Sequence, residues 1–193
     1  MGARRRAGIS TGILLIVVIL IMGGAWYVRS RNRIVTLDED INAAWAEIDN
    51  QLQRRSDLIG NLVESVKGAM SQEREIFSEI ANARARMSGA TSVEETAEGY
   101  NEVQGALSRL LVVMENYPNI RSGEQMTQLM DELAGTENRI AVARKSYNDE
   151  VRGYNTRIRT FPGSMFAGSM GFEQQEYFEI EEGARIAPQV NFS

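Results

Sequence analysis

Chemistry at neutral pH needs a nucleophile, a proton carrier or a metal ligand, and this sequence is poor in all three. It contains 0 His and 0 Cys. Those two counts remove the commonest metal ligand, the side chain that titrates near neutrality, and every thiolate. Ser-His-Asp, Cys-His and His-metal arrangements are therefore excluded, together with disulfides and Cys-ligated zinc or iron–sulfur sites. Serine and lysine come close together at Ser65-Lys67, Ser71 and Lys145-Ser146, but none of these sits in a nucleophile motif. Glu94, Glu95, Glu98 and Glu102 share a turn-spaced face near a helix start, which reads as a solvated face rather than a metal site. The expectation is no enzyme, no catalytic residue, no cofactor and no metal.

The remaining polar residues of interest stand among apolar ones, and only the elements that carry them give them meaning. From Ile41 the apolar positions step by alternating fours and threes through Trp45, Ile48, Leu52, Arg55, Ile59, Leu62, Val66, Ala69, Glu73, Ile76, Ile80 and Ala83 to Met87. This heptad seam predicts one helix about 70 Å long, continuous or only mildly bent at Gly60, packed along one face against partner helices. Ser92-Val93-Glu94-Glu95 is a capping-box signature. It opens a second seam from Val93 through Tyr100, Val103, Leu107 and Leu110 to Tyr117, ended by Pro118. Ser122-Gly123-Glu124-Gln125 repeats the signature. A third seam then runs from Met126 through Leu133, Ile140, Tyr147, Val151, Tyr154 and Ile158 to Phe161, with a stutter at Ala143-Tyr147-Val151. Short connections near residues 88–92 and 118–122 force antiparallel neighbours.

Arg55 and Glu73 lie on the first seam, where an unpaired buried charge would cost several kcal/mol. If the first helix starts beside the end of the third, facing residue numbers sum to about 199. That register suggests a buried polar layer in which Asp57 meets Arg144 and Arg55 reaches Glu137 or Asn138, with Asn61 close by. Such a layer fixes register, and ligand or ion binding is the alternative use. Tyr147-Asn148 and Tyr154-Asn155 repeat at seven residues, so both tyrosines fall on one face. They suit a wet-edged core layer, with a binding site as the alternative.

Ile9 to Val28 is 20 residues without a charge, enough to cross a hydrocarbon layer of roughly 30 Å. Arginines bracket it, and Trp26 and Tyr27 stand at its edge, where amphipathic rings prefer the headgroup level. The competing reading is a cleaved signal peptide with Gly23-Gly24-Ala25 near the cut, but the apolar run exceeds the usual h-region. Charge divides at the same place. Six of the 21 basic residues and none of the 26 acids precede residue 35, leaving 15 bases against 26 acids and a balance of −11 beyond it. A domain this acidic argues against nucleic acid as a partner. The expected organisation is a basic flank at 1–8, a transmembrane helix at 9–28 in contact with membrane lipid, a bundle at 29–162, and a Gly-, Met- and aromatic-rich tail at 163–193. The tail is either folded onto the bundle or a contact surface. The fold class is all-α, a transmembrane helix followed by an antiparallel up-and-down bundle of long helices.

Several motifs resemble those of the LemA family, bacterial proteins with an N-terminal apolar segment and a helical domain. They are Ala44-Trp45, Ile48-Asp49, Gln51-Leu52, Arg54-Arg55, the run Asp57 to Val63, Glu115-Asn116-Tyr117-Pro118, Glu137-Asn138-Arg139-Ile140, Ala143-Arg144, Tyr147-Asn148, Tyr154-Asn155, Phe161-Pro162 and the ending Ala187 to Phe192. The similarity covers nearly everything after the anchor. It implies a helical-bundle fold and brings no agreed activity, cofactor or substrate. The family usually has proline where this chain has Gly60. Some relatives carry a lipoprotein-type start, which favours an outward-facing domain on the inner membrane. The function expected from all this is a membrane-anchored scaffold or interaction protein of the bacterial cell envelope, self-associating as a homo-oligomer or meeting an envelope protein partner. The alternative is an adaptor or regulator of a membrane enzyme such as a protease or signalling protein, with the tail as docking element. An unrecognised hydrolase comes third.

Overall fold

The computed structural model describes residues 3–121, 123–165 and 167–179, with side chains described from Leu14 onward except at Arg121. Its order is α1 (Ala3–Lys67), α2 (Arg74–Gly89), α3 (Val93–Met114), α4 (Pro118–Arg121) and α5 (Glu124–Arg159), then short 3-10 turns at Gly163–Met165 and Gly168–Met170. The fold is all-α, with no strand among the described residues. Two compact units are present. One joins α1 up to Ile41 with Arg152–Gln175, and the other joins Asn42–Val151 with the chain from Glu176.

In the first unit, Leu14 to Met22 of α1 are apolar and 43–68% exposed. Side chains that expose this much hydrocarbon along one helix are matched to a hydrocarbon solvent. The helix is long and apolar enough to cross a membrane. The arginines at 4–6, the apolar residues 9–13 and Gly12 have side chains outside the described set. Beyond the apolar run, Ser30, Ile34 and Ile41 of α1 are buried, as are Tyr154 and Ile158 of α5. Phe161 ends outside the core, 75% exposed, so the third seam stops at Ile158. Gly163, after the cis Phe161-Pro162 bond, has no room for a side chain, because a Cβ there would collide with the Arg157 carbonyl oxygen.

The second unit is an antiparallel bundle of four long helical segments, one more than the sequence suggests, with the short α4 between the last two. The expected single helix over 41–87 is broken: α1 ends at Lys67 and α2 begins at Arg74. The intervening turn is held by Met70 N–H donating to the Val66 carbonyl at 2.9 Å and Glu73 N–H to the Met70 carbonyl at 3.0 Å. Met70 is fully buried at this corner. Glu73, expected on the seam, is the residue preceding α2. α2 folds back on α1, so that Arg84 Nε donates to Ser56 Oγ at 3.0 Å. Gly60 is not a break in the helix. It leaves space for the Arg84 guanidinium, which would stand 3.0 Å from an added Cβ.

α2 packs against α3, with Phe77, Ile80, Ala83 and Met87 of the one and Gly99, Tyr100 and Val103 of the other buried. The approach is close at Gly99, where a Cβ would lie 2.7 Å from the Met87 Cα. α3 opens with Ser92 accepting from Glu95 N–H at 3.1 Å. The Glu95 carboxylate accepts from the amide and hydroxyl of Thr91, and those bonds, with a weaker one from the Ser92 amide, hold its carboxyl below the usual range. α3 ends at Met114, before Pro118, which instead begins α4. Ser122, the expected cap of the next helix, lies outside the described residues. α1 and α5 run antiparallel here, with seam residues Ile48, Leu52, Ile59, Leu62, Leu133, Ile140, Ala143 and Val151 buried.

Candidate functional site

The expected register of α1 against α5 is off by one heptad. Arg55 meets Glu137 and Trp45 meets Tyr147, so facing numbers sum to 192 rather than 199. A slip of seven preserves every face of a heptad seam, which is why spacing alone could not choose between the two. It undoes the Asp57–Arg144 pair, because Arg144 now stands level with Ile48. Asp57 is exposed and accepts from Gln53 one turn earlier at 3.0 Å. Asn61 and Asn138 are exposed, and Arg144 is half-buried.

Arg55, 5% exposed, is the centre of a polar layer shared by three helices. From α1 its Nη1 donates to the Leu133 carbonyl at 2.9 Å and to Thr136 Oγ1 at 3.1 Å on α5. Its Nη2 donates to Gln104 Oε1 on α3 and lies 3.0 Å from Glu137 Oε2. That carboxylate oxygen also accepts from Tyr100 Oη at 2.6 Å and Gln104 Nε2 at 2.9 Å. Burial pushes the Tyr100 phenol up, and its hydrogen bond to Glu137 and the Glu137 charge push the same way. The nearby Arg55 and Arg144 charges oppose this. The layer is thus a neutral phenol and a carboxylate whose one oxygen receives three donors. Apart from Arg55 Nε, which is buried without a partner, its groups bond to one another and fix three helices in register. Tyr100, Gln104 and Thr136 escaped the sequence reading because they sit on seams as ordinary core or flanking residues. The step of four from Tyr100 to Gln104, which puts both on one face of α3 with an acid, Glu137, on α5, is the signal that was available.

The two Tyr-Asn pairs serve a different purpose. In the second unit, Asn148 Oδ1 accepts from Phe178 N–H at 2.9 Å while its Nδ2 donates to the Phe178 carbonyl at 3.1 Å. Both main-chain groups of one extended residue are satisfied by one side-chain amide. Tyr147 Oη donates to the Glu176 carbonyl at 2.9 Å. Burial and the Glu176 charge push its phenol up to about 12. Phe178, 1% exposed, lies against Trp45 with ring centres 5.8 Å apart, and Trp45 lies 5.3 Å from Tyr147. In the first unit, Asn155 repeats the arrangement. It accepts from Gln175 N–H at 2.9 Å and donates to the Gln175 carbonyl at 2.8 Å. Tyr154 is buried, and its phenol is raised first by that burial and then by the Asp38 charge. The described part of the tail is therefore folded onto the helices, which the sequence left open. The ending Ala187 to Phe192 lies outside the described residues.

A family profile, that of the LemA family, matches residues 44–192. The chain is 30% identical to the magnetosome protein MamQ 2 of Paramagnetospirillum magneticum, over 77% of this chain and 64% of that protein. It is 28% identical to the magnetosome protein MamQ of Magnetospirillum gryphiswaldense, over 82% of this chain and 69% of that protein. The match thus spans somewhat less than two thirds of the Paramagnetospirillum relative. With the matched region running from the first buried seam of α1 into the tail, the chain belongs to the LemA family.

Proposed function

We propose that this protein is a membrane-anchored, non-enzymatic helical scaffold of the bacterial cell envelope that associates with copies of itself. The observation carrying this reading is how the ionisable groups of the buried layer are used. Arg55, Tyr100 and Glu137 bond to one another across three helices, leaving them a structural task rather than a reactive one. The exposed apolar run of α1 supplies the anchor. The relatives are named for a cell structure and not for a reaction, which points the same way. Copies held in one plane by their anchors meet at high effective concentration, so modest surfaces suffice for association. Cross-linking and mass measurement of the full chain in mild detergent should give dimers or larger species. Monomer alone counts against self-association.

A second reading, an adaptor for a membrane enzyme, is favoured by the way the tail is held. Gln175 and Phe178 are bound through their main chain, a mode that tolerates exchange of one extended segment for another. Removing residues 180–193 should then leave the bundle folded and reduce co-purification of one specific membrane protein. An unchanged set of co-purifying proteins would dismiss that role for the segment.

A further inference from the structure

In the first unit, two clefts of about 420 and 440 Å³ open on α1 and α5 just beyond the apolar run, and both are lined by Arg33 and Arg157. The first adds Trp26, Arg29, Ser30 and Thr36. Three arginines converge there, and neither lining contains an acid, although the chain beyond residue 34 is acidic. We propose that this is a phosphate-binding site whose ligand is the headgroup of an anionic phospholipid. The proposal rests on the anchor reading and goes beyond it by naming the lipid class and its contacts.

Two unpartnered polar atoms support a missing ligand. Ser65, Ser108, Thr36 and Thr160 each donate to the carbonyl four residues back in their helices. Ser30 is 97% buried, given its 3% exposure, and its Oγ has no partner. Arg157 Nε is likewise buried without a partner. A buried hydroxyl and a buried guanidinium nitrogen left unbonded are costly in a folded protein unless something else satisfies them. Phosphate oxygens suit both, because guanidinium presents a planar fork of donors and a serine hydroxyl adds one more. Position selects the source of the phosphate. Arg29 directly follows Val28, the last residue of the exposed apolar run, and Trp26 is 42% exposed at its edge. With the run in hydrocarbon, the cleft lies at headgroup depth, where basic pockets beside a span meet lipid phosphates.

The test uses the full chain in mild detergent and native mass spectrometry with added phosphatidylglycerol or phosphatidylcholine. Phosphatidylglycerol should be retained well above phosphatidylcholine. Arg33→Gln and Arg157→Gln should each lower its retention about five-fold, with phosphatidylcholine unchanged. Arg33 is exposed on its helix, so its variant reports binding even where Arg157→Gln disturbs the fold. Equal retention of the two lipids, or retention unaffected by both variants, overturns the site. Inorganic phosphate competing as well as phosphatidylglycerol overturns the lipid as its source. Carbonate washing of membranes is run beside this. Protein released by the wash refutes the anchor itself, whereas protein retained without lipid preference refutes only the headgroup site.

Discussion

The Arg55 layer and the asparagine clamps are both polar and both buried, yet they hold the chain in opposite ways. The layer joins side chain to side chain, across three helices and more than 80 residues of sequence between Arg55 and Thr136. Each member is specified, and replacing one takes a partner from several others. The clamps join side chain to main chain, so the tail residue at each clamp is recognised for having an amide and a carbonyl. Phe178 is specified by its ring against Trp45, whereas Gln175 is held chiefly by its main-chain amide and carbonyl, its side chain adding an exposed bond to Asp38 at 3.4 Å and one to the Tyr154 phenol. One device fixes identity and register. The other fixes only conformation.

The sharpest way to break the contrast is Arg55→Ala, which should destabilise the bundle by about 3 kcal/mol or somewhat more, read from chemical or thermal unfolding of the full chain. The lower end of the usual range is expected because Glu137 keeps Tyr100 and Gln104 and its side chain is 43% exposed. Phe178→Ala should cost roughly 3 kcal/mol if the tail stays docked. Release of the tail instead, seen as faster proteolysis beyond residue 163, would mean that the clamps cannot hold it without the ring. Asn148→Ala and Asn155→Ala should each cost about 1–2 kcal/mol, while Gln175→Ala should cost under about 0.5 kcal/mol. A large effect of Gln175→Ala would refute recognition through the main chain.

The last effect is in pH. Burial raises the Tyr147 phenol to about 12, above its ordinary value near 10. The unfolded chain then loses this proton first, so this group's contribution to folding stability is fully present below pH 10 and is lost between about 10 and 12. Tyr147→Phe should make that decline shallower, and an unchanged slope would assign it to other groups.

Much of this fold is legible in residue spacing. The seams predict which faces of α1, α3 and α5 are buried, and the apolar run at 9–28 predicts the exposed stretch of α1. The break between α1 and α2 is not legible from the seam, because Val66, Ala69, Glu73 and Ile76 keep their rhythm through the turn. Lys67 followed by Gly68 is a helix-stop signal at that place, but it is outvoted by six heptads of pattern. At the buried layer, the residue Arg55 and its need for an acid follow from sequence. The pairing of Asp57 with Arg144 does not survive, because heptad symmetry makes a seven-residue slip invisible until Trp45 and Tyr147 are seen to meet. The clamps lay beyond reach for another reason. A side chain that binds backbone leaves no signature in the type of residue it binds.

Gly99 carries a consequence for how the molecule is made. Its contact with Met87 spans 12 residues and joins α2 and α3 across a short loop, so that hairpin can close early and quickly. The contact of Arg55 with Glu137 spans 82. On a ribosome α1 emerges long before α5, and its buried seam must wait for a partner that is still being synthesised. The α2–α3 hairpin, folding back onto α1 through Arg84 and Ser56, supplies a first cover for that seam and shortens the interval in which it is open to aggregation.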